Sequence, residues 1–254
     1  MIAVVVPAGL LGTYPTWRAC VGSMAAGADR VYLVLSCRGD RIEIAEESLP
    51  GNVEIVASMA TWFARTPSGM EWFDAYRVME NANVGLARAF WDGFDQCVLL
   101  MVNWFVPAEA WPALRRPVEA GWRWLYRKDQ LGGQMFHASK RLPWIVDTAA
   151  GVRFSADGME YLGEWHPWEA GDFSAHDGEA VVDLQLELSP QQLERKMNFM
   201  RCYSDLVPKR KPTFEWEYYR RYYAEKYGRK ARSEERPVVE SPEGWVSHEV
   251  LGEL

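Results

Sequence analysis

The chain has 254 residues, 48% of them apolar and 25% charged. That length allows one large domain or two small ones around a real core, and the balance excludes a disordered chain. The net charge of −7 excludes a molecule that is polycationic as a whole, so any contact with nucleic acid has to come from a local patch.

Four cysteines, Cys20, Cys37, Cys97 and Cys202, lie far apart without paired spacing. They read as buried thiols in a reducing compartment, not as a disulfide frame or a zinc site. Met1 leads straight into an apolar run that Pro7 cuts, with no basic leader. The longest other apolar stretch, Cys97 to Val106, is about half of what a bilayer needs. The expected setting is the cytoplasm, with no transmembrane segment.

Ile2–Val6 is a β-branched run suited to a fully buried parallel strand. Thr16–Ala26 has helical character, and Arg30–Ser36 and Asn52–Ala57 read as further strands. Thr66-Pro67 has the form of a helix start, with Thr as N-cap and Pro first inside, and a helical pattern runs on to Phe94. Cys97–Val102 is a fourth strand, and Pro107 opens another helix. Strands alternating with helices predict βαβ units and a sheet covered on both faces.

Beyond Gly121 the pattern shortens. Trp122–Tyr126, Gln134–Ala138, Tyr161–Trp165 and Val181–Leu188 are strand-like pieces between Gly, Pro and Asp turns. Ser189 and Pro190 begin a predicted helix that reaches Leu206, a basic break spans Pro208–Pro212, and Thr213–Tyr227 is an aromatic helical stretch. The expected fold class is α/β, a nucleotide-binding βαβ half with a mixed sheet and C-terminal helices. The expected division is 1–206, a basic aromatic extension 207–236 and an acidic tail 237–254.

Three motifs carry a family resemblance. The segment from Asn83 to Leu100 opens Asn-Val-Gly-Leu-Ala-Arg, Ile2–Ala8 is a strand ending in Pro-Ala, and Tyr161–His166 reads Tyr-Leu-Gly-Glu-Trp-His. Ser174–Gly178 and the basic helix Glu194–Arg201 follow in order. The whole resembles the inverting GT-A glycosyltransferases of family two, in their lipopolysaccharide-core-like branch. The resemblance implies a GT-A-like fold and a nucleotide-sugar donor, a UDP-sugar foremost. It also implies that Pro7, Ala8 and Asp40 lie with the donor nucleotide.

The chain departs from that pattern at three places. Met101-Val-Asn103-Trp104 stands where the family has its metal-binding Asp-x-Asp-Glu, and neither Met nor Asn supplies the carboxylate that Mg²⁺ or Mn²⁺ prefers. The acid that holds uracil in the family falls near Leu35-Ser36, and His166 precedes Pro167 instead of Glu.

Sugar transfer requires a stabilised leaving diphosphate, a base for the acceptor hydroxyl, and both held in line. Arg88, Lys196 and Arg201 are the candidate diphosphate cations, with Asn103 beside them. Glu169 is the favoured base, ahead of Glu164 and Asp172, and Trp165 and Trp168 are the rings on which an acceptor sugar would stack. Asn103 and His176 are the candidate ligands should a Mn²⁺ or Mg²⁺ ion be used.

From Lys209 to Arg236 ten Lys/Arg stand against five Glu, and seven aromatic residues interleave with Arg220, Arg221 and Lys226. Such aromatics commonly pack on a core. The functional alternative is a surface for a polyanionic acceptor, with Arg220 and Arg221 on phosphates. Three functions stay open: a glycosyltransferase with an atypical or absent metal site, a glycosyltransferase acting on a hydroxylated base in DNA, and a non-catalytic nucleotide-sugar-binding or scaffolding relative.

Overall fold

A computed structural model describes residues 1–8, 16–36, 49–58, 63–65, 71–73, 75–131, 134–135, 140–155, 157–171, 173 and 178–184. The predicted helices after Ser189, the basic extension and the acidic tail lie outside the described residues. No helix among the described residues is long and apolar enough to cross a membrane.

The apolar run Ile2–Ala8 and its neighbours become strands that bury both faces, whereas Val53–Ser58 at the sheet edge stays half-exposed. β1 (Ile2–Ala8) is buried along its whole length. It pairs in parallel with β2 (Arg30–Ser36) on one side, and β2 pairs in parallel with β3 (Val53–Ser58). α1 (Trp17–Gly27) connects β1 to β2 and buries Trp17, Cys20, Val21 and Met24.

After β3 the sequence expectation needs correction. β4 (Phe63–Arg65) and β5 (Glu71–Phe73) pair antiparallel ahead of the helix, so a strand at Glu71–Phe73 interrupts the helical pattern expected up to Phe94, while Thr66-Pro67 itself lies outside the described residues. Both strands carry aromatic residues, which favour extended backbone. α2 (Ala75–Trp91) then begins at Ala75 and ends at Trp91. Gly85 lets it press on the sheet: a Cβ there would lie 2.4 Å from Val5 Cγ1 and 2.9 Å from Val34 Cγ2. β6 (Gln96–Leu99) returns beside β1, again parallel.

The remainder completes the main mixed sheet and adds a smaller one. It comprises β7 (Trp104–Phe105), a 3-10 turn (Ala108–Ala110), α3 (Trp111–Leu114), β8 (Trp122–Leu131), β9 (Gln134–Met135) and β10 (Lys140–Asp147). Then come β11 (Arg153–Ser155), β12 (Gly158–Tyr161), β13 (Glu164–Pro167), β14 (Glu169–Ala170) and β15 (Val181–Asp183). The order across the main sheet is β3-β2-β1-β6-β10-β8-β15-β7.

β10 joins the parallel half to the rest and runs antiparallel to both neighbours, yet no strand is expected there from sequence. Pro143 disguises it. The ladder to β8 shifts register between Leu142 and Ile145, which accommodates a residue with no N–H to donate.

Tyr161–Trp165 is also corrected, because the chain reverses inside it. Leu162 and Gly163 have φ of 53° and 79°, the positive pair of a two-residue hairpin turn, so Tyr161 ends β12 and Glu164 starts β13. With β11 these form a separate three-stranded sheet.

Candidate functional site

Strand direction defines the site's position. β1, β2, β3 and β6 are mutually parallel, β10 opposes β6, β8 opposes β10, and β15 is parallel to β8. The carboxyl ends of β1, β2, β3, β6, β8 and β15 therefore share one edge, with the first residues of β7 and β10 beside them. From β1 the chain adds β2 and β3 on one side and then crosses to place β6 on the other. The crevice between the ends of β1 and β6 is thus a topological switch point, the place where open α/β sheets bind ligands. α1 follows β1, so its amino end, with the positive end of its dipole, points to the same edge.

The edge is lined by polar side chains that are buried. Asn103, just past β6, is 5% exposed and its amide nitrogen donates to Asp183 Oδ1 at 2.5 Å. Arg127 of β8 bridges two carboxylates, meeting Asp183 Oδ2 at 3.1 Å and Asp129 Oδ1 at 3.0 Å. Asp129 and Asp183 are register partners on adjacent parallel strands, and Trp104 stands opposite Asp183 on β7. The Asp183 charge also reaches the first turn of α1. Burial pushes the Cys20 thiol up to about 12, Thr16 pulls it down by a hydrogen bond, and Asp183 adds a further rise.

Aromatic stacking continues from this cluster. Trp104 stacks on Trp144 at 5.5 Å, and Trp168 meets Trp144 edge-on at 6.2 Å. The Arg127 guanidinium lies 5.6 Å over Trp104 and the Lys140 ammonium 5.3 Å over Trp168.

Glu169 belongs to this edge for a topological reason. β6 pairs with β10 at residues 145–147, while β14 pairs with the same side of β10 at Lys140 and Arg141. Glu169 therefore occupies the sheet position beyond the end of β6. Arg141 binds its carboxylate and stacks 4.3 Å over Trp124.

The candidates named from sequence separate accordingly. Pro7 and Ala8 end β1 at this edge, and Asn103, Trp168 and Glu169 gather beside them. Glu164 and Trp165 start β13 at the far tip of its hairpin, both exposed. Five residues of extended chain, up to about 16 Å at ~3.3 Å each, part Glu164 from Glu169. Arg88 lies near the end of α2, by the amino ends of the strands, bound to Asp92 at 2.9 Å and Glu54 at 3.1 Å. Asp40, Asp172, His176, Lys196, Arg201, Arg220 and Arg221 lie outside the described residues.

For a divalent cation the described residues are a poor fit. Asn103 turns its amide nitrogen to Asp183, and Arg127 already bridges Asp183 and Asp129. Among the described residues no three His, Cys, Asp or Glu side chains converge to hold a metal.

Sequence reasoning missed Asn81, Arg127, Asp129 and Asp183. Asn81 is fully buried on α2, and neither its side-chain oxygen nor its nitrogen has a hydrogen-bond partner. It lies one turn before Gly85 on the face pressed to β1 and β2, hence one turn nearer the carboxyl edge. A buried amide without partners among the described residues costs about 1–3 kcal/mol, so Asn81 calls for an explanation, of which a bound polar group is one. A signal for β8 was available: Arg127-Lys-Asp-Gln130 is a four-residue polar run, and in the strand Lys128 is 8% exposed and Gln130 0%. A strand that buries such residues on both faces is serving chemistry or a specific contact.

No family model matches the chain, and no curated protein does. Among solved structures it is similar to S. aureus TarS, with 14% identity and a TM-score of 0.42 over 88% of this chain, and it spans 42% of that chain's length. It is similar to TarS residues 1–349 in complex with UDP, with 15% identity, a TM-score of 0.41, 88% of this chain and 70% of that one. A third is the 4-diphosphocytidyl-2C-methyl-D-erythritol synthase of Anaerococcus prevotii, at 12% identity and 0.31, over 98% and 94% of the two chains. Likeness at these levels carries no argument about chemistry.

Proposed function

We propose that the chain is a glycosyltransferase, moving a sugar from a nucleotide-sugar donor, a UDP-sugar foremost, to an acceptor hydroxyl. The observation that supports this reading is the convergence of buried polar groups at the switch point. Asn103 and Asp183, the Arg127-bridged Asp129, and the unpartnered Asn81 surround the ends of β1 and β6. A structural role alone does not account for such burial, because desolvating charged groups costs several kcal/mol each.

In this reading the nucleoside lies against Pro7, Ala8 and Asn81, with its diphosphate near Asn103. The acceptor stacks on Trp168. Glu169, oriented by Arg141, accepts the acceptor's hydroxyl proton. The freed oxygen attacks the anomeric carbon, and the bond to the diphosphate breaks with its electron pair going to the leaving group. Arg127, shared by Asp129 and Asp183, and Lys140, over the Trp168 ring, are the described cations that would moderate that charge.

A thermal-shift panel of nucleoside diphosphates and sugar nucleotides, each with EDTA and with Mn²⁺, tests the reading. A ligand at a hundredfold excess over its Kd stabilises by about 2.7 kcal/mol, a rise of roughly 5–10 °C for a domain of this size. No shift with any nucleotide refutes the donor site. A shift without release of the nucleoside diphosphate in any acceptor mixture supports the non-catalytic binding relative, which is favoured by the engagement of Asn103 and Glu169 with Asp183 and Arg141. Salt-sensitive DNA binding lost on Arg220→Glu with Arg221→Glu supports the DNA-modifying alternative.

A further inference from the structure

Away from the carboxyl edge, α2 turns an apolar face outward. Val84, Phe90 and Trp91 are 38%, 47% and 80% exposed, and they are three of the six large apolar side chains exposed among the described residues. Their concentration on one helix separates them from the scattered apolar residues of an ordinary surface. Phe90 meets Trp91 edge-on at 5.9 Å. Beside them runs a groove of about 700 Å³ between α2 and residues 148–153, walled by Ala87, Phe90 and Val152. It continues into a second groove of about 420 Å³ under Phe94 and Val118, and the two share Phe90, Thr148 and Ala149.

We infer that this groove is the docking site of the chain's own aromatic stretch, residues 213–227, in the same molecule. Charge is complementary. Among the described residues lining the two grooves, Glu80, Asp95 and Asp147 outnumber Arg153, with Asp95 paired to the Met1 ammonium, whereas residues 209–236 carry ten Lys/Arg and five Glu.

The side chains match as well. Phe214, Tyr218 and Tyr222 recur every four residues, as do Tyr219, Tyr223 and Tyr227. Two such adjacent ladders give a helix a broad aromatic side, suited to a groove floored by Phe and Val. In a helix Arg220 and Arg221 would fall outside both ladders, at the rim of the groove.

Reach allows the contact. Twenty-four residues, 185–208, separate the last described residue from Lys209. Extended, they span up to about 80 Å. A compact body of this size has a radius of gyration of about 16 Å, so the connection can pass from the end of β15 around the sheet. Seating the stretch here would cover an apolar face that is otherwise open to water.

Photo-crosslinking in the full-length chain tests this. Trp91 is replaced by p-benzoylphenylalanine, a change at an 80% exposed position that leaves the core intact, and the irradiated protein is mapped by peptide mass spectrometry. The expected product is an intramolecular link from position 91 into residues 209–236. A companion variant, Val84→Asp with Phe90→Asp, should make tryptic cleavage within 209–236 roughly tenfold faster, while the remainder keeps its wild-type resistance. Links to a second copy of the chain, links only to peptides outside 209–236, or no link at all would overturn the inference. Unchanged cleavage in the charge variant would overturn it too.

Discussion

At the amino end of the sheet Arg88 reaches Glu54 and Asp92 across a surface where its side chain is 47% exposed. At the carboxyl end Arg127 reaches Asp129 and Asp183 with side chains only 13%, 3% and 6% exposed. Both arrangements are one guanidinium between two carboxylates, and their costs differ. Exposed pairs contribute about 0–1 kcal/mol and keep most of their hydration, whereas a buried set gives up hydration that its mutual attraction barely restores. The same contrast holds for amides. Asn83 clasps the Phe154 backbone through both of its side-chain atoms, while Asn81, two residues earlier, is buried with neither atom bonded. Exposed pairs fasten the end of α2 and Asn83 fastens its middle, whereas the buried groups toward the carboxyl end are those the proposed donor site would use.

Four variants and a pH series break or sharpen that contrast, from the largest expected effect down. Asp183→Ala leaves Arg127 and Asn103 buried without their shared partner and should destabilise by about 3–5 kcal/mol in urea unfolding. A loss below 1 kcal/mol would mean the cluster is solvated in solution. Asn81→Leu should stabilise the ligand-free chain by about 1–2 kcal/mol while weakening nucleotide binding, since it removes an orphaned amide. Lower stability would show that Asn81 is a structural residue. Tyr32→Phe removes the 2.6 Å bond from the phenol to Asp92 and should cost about 1 kcal/mol with nucleotide affinity unchanged. Arg88→Ala should alter nucleotide affinity by less than about twofold, because exposed pairs at the opposite edge exert little field on the site.

Acid should act on the amino end. The Ile2 N–H holds the Asp29 carboxyl below its ordinary 3.8, with Arg115 adding to it, and the Tyr32 hydroxyl and then Arg88 do the same for Asp92. A depressed carboxyl contributes stability that is complete above its unfolded value and lost as pH falls through the folded one. Unfolding free energy should therefore be flat between about pH 7 and 5 and decline below about pH 4. Asp29→Asn should flatten the acid limb, which equilibrium unfolding at stepped pH would register.

Much of the parallel half was legible because its information is local. β1 and β2 are apolar, Val-rich runs whose burial on both faces needs nothing more, and β3 is a shorter such run at the sheet edge, half-exposed. β10 was not legible, since Pro143 and the Lys140-Arg141 start argue against a central strand until the bulge is known. The hairpin at Leu162-Gly163 was hidden because a leucine at positive φ has no sequence signature.

The site divides the same way. Asn103, Trp168 and Glu169 sit in conspicuous local clusters. Asp183 becomes interesting only when β15 inserts beside β8 and meets Asn103 from eighty residues away. Asn81 looks like any polar helix residue until Gly85 shows how closely α2 lies on the sheet.

The measurement that bears most directly on the account is the affinity of UDP and a set of UDP-sugars, by isothermal titration, for the wild-type chain, Asn103→Ala and Arg88→Ala. The account predicts binding to the wild type, a loss of tenfold or more (about 1.4 kcal/mol) in Asn103→Ala, and near-wild-type affinity in Arg88→Ala. Equal affinity across the three proteins, or binding that fails only in Arg88→Ala, would contradict a donor site at the carboxyl ends of the strands.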